Sequence, residues 1–322
     1  MEFSAYPLQF YPILKDKIWG GKKLKQFLNK PTDSDSAGES WEISAVDGDV
    51  SIVCDGLYKN KSLTDLIDLF PEEILGKDVY QKFGKQFPLL FKFIDAAEDL
   101  SIQVHPNDAL AQKRHNSFGK TEMWYIMQAD ENARIIVGFK KDSSSEEYVK
   151  HLEKKSLLDI LDEQKVETGD VFFLETGTIH AIGAGVMLAE IQQTSDITYR
   201  VYDWDRVDSD GKSRELHTDL ALEAMNYDRV SAKQDYKTEE NTINPVVDCP
   251  YFTTCLIPLH GTMEFTKTGN SFVVLMCVSG VMTIETGSAK IHLVKGQTIL
   301  LPAALRSYNI SGKASFLEIY IS

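Results

Sequence analysis

Cysteine is scarce in this 322-residue chain, with four residues in all at positions 54, 249, 255 and 277. None is spaced C-x-x-C, which excludes zinc-ribbon and thioredoxin-like sites, and four scattered thiols do not make a disulfide scaffold. Long apolar runs are absent too: none approaches the roughly 18 residues that a membrane-spanning helix needs. The first residues, MEFSAYPLQFYPILKD, lack a basic stretch leading into an apolar one, so no signal peptide is expected and the expected compartment is the cytoplasm. Positive charge is in deficit, 34 Lys plus Arg against 48 Asp plus Glu, a net charge of −14. Such a surface repels phosphate backbones and anionic lipid, so neither nucleic acid nor a membrane is an expected partner. The phosphate-cradling motif G-x-x-x-x-G-K-[ST] is missing, and Gly183-Ala-Gly185 lacks the rest of a dinucleotide fingerprint. Nucleotide cofactors are therefore not expected.

What is present is an ordinary globular composition, 43% hydrophobic and 25% charged, in a chain long enough for two domains. Residues 22–29 read as a short amphipathic helix. Residues 62–75 read as a helix pair with Pro71 opening the second piece. From residue 88 the texture turns to strands: 88–94, 122–127, 134–139, 171–174, 186–192 and 197–203. Helices are expected at 143–161 and 214–226. The polar stretch KQDYKTEENTIN, residues 233–244, reads as a linker. Short strands follow at 253–257, 272–277, 281–285, 291–294, 298–301 and 316–320. The fold class this predicts is mainly β with some helices (α+β), built as β-sandwich or barrel units. The expected division is a catalytic domain over 1–232, the linker, and a second domain over 245–322. A faint repeat supports two units. Residues 169–180, GDVFFLETGTIH, align with 296–307, GQTILLPAALRS. Each copy reads as a Gly turn, a buried strand, a tight turn and an inward-pointing residue, His180 in the first and Ser307 in the second. The first unit is thus expected to carry chemistry and the second to be bare.

The richest stretch runs from Leu100 to Asp108. On a strand, alternate residues share a face, so Ser101, Gln103 and His105 project together while Ile102 and Val104 face the other way. Lys120 and Glu122 share a face in the next strand. His180 follows a tight turn at Gly177. Two imidazoles, a carboxylate and a neutral amide, namely His105, His180, Glu122 and Gln103, suit Zn, Fe or Mn. The set carries one negative charge, so a divalent ion there keeps net positive charge as a Lewis acid. The remaining histidines, His115, His151, His260 and His292, read as surface residues, and His217 as a neighbour of a helix cap. The acidic run from Asp203 to Asp210 reads as a turn around Asp-Gly. Four tryptophans, Trp19, Trp41, Trp124 and Trp204, are candidates to pack around the pocket.

Residues 169–180 resemble the second cupin motif, with Glu175 where proline is usual and Ala184 where asparagine is usual. Gln103-Val-His105 resembles the first motif with its leading histidine replaced. The strings LSIQVHPND, GKTEMWY, TGTIHAIG and TYRVYDWDR together resemble type I phosphomannose isomerases of the short bacterial kind. The likeness extends to Ile18-Trp-Gly-Gly21, to residues 39–44 and to residues 214–217. It implies two cupin-like β-barrel or jelly-roll units, the first metal-binding and the second degenerate. It also implies interconversion of mannose 6-phosphate and fructose 6-phosphate through an enediol, with one Zn2+ per chain. Carried over, Gln103, His105, Glu122 and His180 are the metal ligands. Arg200 is the active-site arginine, and Lys120, Ser101 and Glu190 line the substrate pocket, joined by Trp19 and Glu42 at its wall. Lys120, Glu190 or metal-bound water is the implied base. Read without the resemblance, Arg200 is better taken as a structural salt-bridge partner of Asp196, Asp203 or Asp205. Rival readings are a non-catalytic cupin that binds sugar phosphate in a regulatory role, and an iron oxygenase, against which Gln103 in place of histidine speaks. A small sugar phosphate is the only expected partner, with the chain a monomer or weak homo-oligomer.

Overall fold

The computed structural model describes residues 2–207, 210–287 and 289–322. The acidic run expected to turn at 203–210 therefore falls partly outside the described residues. Two sheets face each other in the first half of the chain. One has six strands in the order Ile13–Gly21, Ala37–Ile43, Leu89–Ala96, Val186–Gln193, Glu122–Ala129 and Val171–Leu174. The other has five, in the order Tyr199–Tyr202, Ile102–Val104, His180–Ile182, Arg134–Phe139 and Leu161–Lys165. Apolar side chains from both, among them Ile94, Trp124, Ile126, Ile135, Val137 and Leu188, fill the space between them. A third sheet runs Asn244–Asp248, Thr253–Thr266, Ser307–Tyr320, Val273–Glu285 and Lys290–Val294, with Thr298–Leu301 added to Val273–Glu285. The chain is thus mainly β, two cupin-like units with helices at their margins.

The helix pair at residues 62–75 forms as Leu63–Leu69 and Pro71–Leu75. Ser62 and Asp65 make a reciprocal capping box, and Pro71 takes the first-turn position where its missing N–H costs nothing. The helix expected over 143–161 stops at Glu153. Lys155 turns left-handed at φ +54, and Leu161–Lys165 then leaves helical periodicity to pair with Arg134–Phe139. The helix expected over 214–226 shrinks to Thr218–Ala224, because His217 donates its backbone N–H to Arg200 instead. Helices Lys77–Phe83 and Asp108–His115 were not expected; Asn107, whose side chain accepts from Leu110 N, caps the second. In the C-terminal unit the strands expected at 272–277 and 281–285 fuse into Val273–Glu285, and those at 253–257 and 316–320 lengthen to 14 residues each, through exposed stretches that apolar alternation does not mark. The segment expected to link the units is tied down: Gln234 N donates to Val171 O at 2.8 Å, and the Tyr236 hydroxyl donates to Gly169 O.

The repeat survives in part. Gly169 and Gly296 both take positive φ, and strands Val171–Leu174 and Thr298–Leu301 occupy matching places. Its end does not match: His180 is buried, whereas Ser307 is exposed and the next residue, Tyr308, turns inward. Among the described residues no His/Cys/Asp/Glu cluster suited to a metal occurs in the second unit. No helix among them is long and apolar enough to cross a membrane.

Candidate metal centre and substrate cleft

Strand register assembles the centre. Gln103 on Ile102–Val104 is paired with His180 on one side and with Arg200 on the other. Glu122 enters from the opposite sheet, paired with Leu174 and Gln192. His180 reaches its place because Gly177, at φ +88, turns the chain where an added Cβ would lie 2.9 Å from Ala224 O. The ligand atoms of His105, Glu122 and His180 lie within 4.8 Å of one another, and all three residues are buried. Each imidazole is oriented from behind. His105 Nδ1 donates to Ile197 O at 2.9 Å and His180 Nδ1 to Thr178 O at 2.8 Å, so both Nε2 lone pairs face Glu122. Burial, reinforced by Lys120, holds the His180 imidazole down at about 4 and pushes His105 well below its ordinary value. Both rings are neutral at neutral pH, as ligands must be.

The donor set fits a divalent cation. Glu122 Oε1 is buried with no hydrogen-bond partner, an expensive state for a carboxylate oxygen, and burial lifts this carboxyl above its ordinary range despite Lys120. A cation at that point satisfies it. Lys120 lies alongside, its Nζ 2.5 Å from Glu122 Oε2 and 3.1 Å from His105 Nε2. Gln103 Nε2 donates to His180 Nε2 at 3.2 Å, so a half-turn of the amide is what brings its oxygen to the centre.

The centre opens on a cleft of about 410 Å3 that gathers six cationic side chains, Lys15, Lys17, Lys92, Lys120, Arg200 and Arg214, against four carboxylates, Glu39, Asp49, Glu190 and Asp196. A locally positive pocket in a chain of net charge −14 selects a small anion. Ser101 and Trp19 line it. Trp19 sits tight because Gly38 leaves room: a Cβ there would meet its ring at 2.6 Å. The salt-bridge reading of Arg200 does not hold among the described residues. Asp203 is taken by Arg206 and Arg214, and Asp205 by Lys155. Arg200 is held by neutral groups, Ser101 Oγ at 3.3 Å and Glu215 O at 2.9 Å. Burial and the neighbouring Arg214 lower its pKa, outweighing the pull of Asp203 and Glu215.

Glu190 lies at the cleft floor, 2.9 Å from Lys92 Nζ and 3.0 Å from Trp124 Nε1. Burial pushes its carboxyl up, but Lys92 and Lys120 outweigh it and hold it well down. An anion so held is a poor proton acceptor. Glu42 is not brought to the cleft. Alternation along Ala37–Ile43 turns Glu39 and Trp41 toward it, while Glu42 pairs with buried Lys30 at 2.6 Å and accepts from Ser40 Oγ at 2.6 Å. Replacing Lys30 with Met is expected to strand that carboxylate and cost about 3–5 kcal/mol in denaturant titration, with KM unaltered. A raised KM at unchanged stability would return Glu42 to the substrate wall. Of the tryptophans, Trp204 lies apart, bonded to Leu100 O. His217 was overlooked as a brace: its Nδ1 accepts from Arg200 N at 3.2 Å, on the strand next to Gln103.

Fold and site together define a cupin with a buried His–Glu–His donor set beneath an anion-selective cleft. Comparison with known proteins narrows this. Residues 8–155 match the model of the catalytic domain of type I phosphomannose isomerase, and residues 242–321 match the mannose-6-phosphate isomerase cupin domain. The chain is 35% identical to mannose-6-phosphate isomerase ManA of Bacillus subtilis over 99% of its own length and 100% of that protein. It is 34% identical to the Streptococcus mutans enzyme of the same name, over 99% and 98%. The crystal structure of the B. subtilis mannose 6-phosphate isomerase superposes with a TM-score of 0.90 at 35% identity, covering 99% and 100% of the two chains. An Archaeoglobus fulgidus protein described as a putative mannosephosphate isomerase shares the fold at 23% identity and a TM-score of 0.80, covering 100% of this chain and 99% of that one. The chain belongs to the type I phosphomannose isomerase family and is an isomerase.

Proposed function

We propose that the protein interconverts mannose 6-phosphate and fructose 6-phosphate with one Zn2+ held by His105, Glu122, His180 and the amide oxygen of Gln103. The observation that carries this is the orphaned Glu122 oxygen between two pre-oriented imidazoles, at the base of a cationic cleft. When bound, the ion supplies a Lewis acid that eases negative charge on the sugar oxygens. Lys120 carries the proton between C2 and C1 of the open-chain sugar, since its Nζ is the nitrogen between the ligand set and the cleft. Glu190 stays ionised and fixes Lys92 rather than acting as base. Arg200, braced by Ser101 and His217, offers its unpaired guanidinium to negative charge on the substrate. Trp19 closes the wall and limits water. Residues 1–232 carry the chemistry, 233–244 connect, and 245–322 carry no metal; the chain acts in the cytoplasm as a monomer or weak homo-oligomer.

The test is conversion of mannose 6-phosphate to fructose 6-phosphate before chelation, after chelation, and after Zn2+ is restored. Activity is expected to vanish and return, with deuterium from D2O appearing at the sugar carbon. Metal-loaded protein without turnover would replace this reading with a binding role, and turnover with no deuterium uptake at all would replace proton transfer with hydride shift.

A further inference from the structure

The C-terminal unit has no metal cluster among its described residues, yet one of its side chains reaches a carboxylate close to the centre. We infer that Tyr251, from the C-terminal unit, is a positioning residue for Lys120, acting through the Asp108 carboxylate. The inference rests on Lys120 serving the proposed isomerisation.

Asp108 opens the helix Asp108–His115 three residues beyond His105. Its Oδ2 accepts from the Tyr251 hydroxyl at 2.8 Å. Its Oδ1 accepts from Gly119 N at 2.7 Å and from Gln193 Nε2 at 2.9 Å. Gln193 in turn accepts from Thr121 N at 2.9 Å through its side chain, and its backbone N–H donates to Thr121 O at 3.1 Å. Residues on both sides of Lys120 are therefore clamped, and one carboxylate holds the clamp together. Gly119 is needed for the approach, because a Cβ there would lie 2.8 Å from Asp108 N. Phe252, next to Tyr251, packs edge-on against Phe173 and holds the turn in place. Lys82 donates to Pro250 O at 2.8 Å on the same turn but does not touch Tyr251 or Asp108. Burial, then the bond to Asp108, pushes the Tyr251 hydroxyl up to about 12, so it stays a donor throughout the working range. Gly119 N and Gln193 satisfy one carboxylate oxygen, and Tyr251 supplies a direct bond to the other. Without it Asp108 is held through one oxygen alone, and a shift of about 1 Å in a catalytic group can cost on the order of 100-fold in rate.

The test compares Tyr251→Phe, Asp108→Asn and their double variant in the metal-loaded full chain, with Lys82→Met as a control on the same turn. Tyr251→Phe is expected to retain metal, keep KM within about twofold and lose roughly tenfold in kcat, with Asp108→Asn adding little in the double variant. Lys82→Met is expected to lower Tm at wild-type kcat. Amide hydrogen exchange at Gly119 and Thr121, expected to accelerate in Tyr251→Phe, reads the clamp without any substrate. Unchanged kcat and exchange in Tyr251→Phe would overturn the inference, as would additive losses or a kcat loss matched by Lys82→Met. If the wild-type protein does not turn over mannose 6-phosphate, the substrate reading fails. The exchange experiment then still decides the clamp.

Discussion

Replacing His180 with alanine is expected to remove bound metal and turnover together, lowering kcat/KM by ~10³-fold or more, since Lewis-acid stabilisation of developing charge is worth several kcal/mol. The effect follows from the strand pairing. His180 lies directly across from Gln103, its Nδ1 is committed to Thr178 O, and its Nε2 is one of the two nitrogens aimed at Glu122. Glu122 cannot compensate, because it is completely buried and its second oxygen already lies beside Lys120. Metal analysis of the purified variant checks the first half and the mannose 6-phosphate assay the second. His105→Ala is expected to match it. Full metal content in both variants would remove these residues from the ligand set.

Arg200→Ala tests a different part of the cleft. The variant is expected to keep its metal and lose roughly 100- to 1,000-fold in kcat/KM, the range typical of deleting one preorganised charge donor. The reason is the missing carboxylate partner. A structural arginine would share Asp203, but Arg206 and Arg214 occupy that group. What holds Arg200 is a hydroxyl and a carbonyl, which orient the guanidinium without neutralising it. Arg200→Lys should recover only part of the loss, because an ammonium cannot reproduce the planar fork. Full activity with retained metal would make Arg200 a bystander.

The His105–Glu122–His180 group was legible in part because alternation along a strand is simple geometry, whereas the cross-strand register that joins it comes only from the fold. Ser101, Gln103 and His105 share a face by period two, and Gly177 announces the turn before His180. Arg200 was ambiguous for a physical reason: three nearby acids, Asp196, Asp203 and Asp205, compete for it in sequence, and only the fold shows Asp203 and Asp205 engaged elsewhere. Glu42 was misplaced because resemblance names a segment, residues 39–44, without saying which alternate residues face inward. The long C-terminal strands were read as fragments because exposed stretches inside them, around Gly261, Gly280 and Gly312, carry no apolar alternation. Nothing local announces Tyr251, whose partner Asp108 lies 143 residues away. The inward turn of Tyr308 in place of Ser307 likewise depends on how Ser307–Tyr320 begins, one residue out of step with the first unit.

The pairing at Leu8 has a consequence for how the molecule comes together. Leu8 and Leu300 exchange backbone hydrogen bonds at 2.7 and 2.9 Å, and both side chains lie in a core that also holds Phe91, Met123, Phe252 and Leu317. During synthesis the segment around Leu8 waits for its partner until the chain has been made as far as Leu300. A contact so distant in sequence closes late and slows folding. It also makes the finished halves cooperative, so that heat is expected to melt them in one transition and a nascent chain stalled before residue 298 to leave its first segment open to proteases.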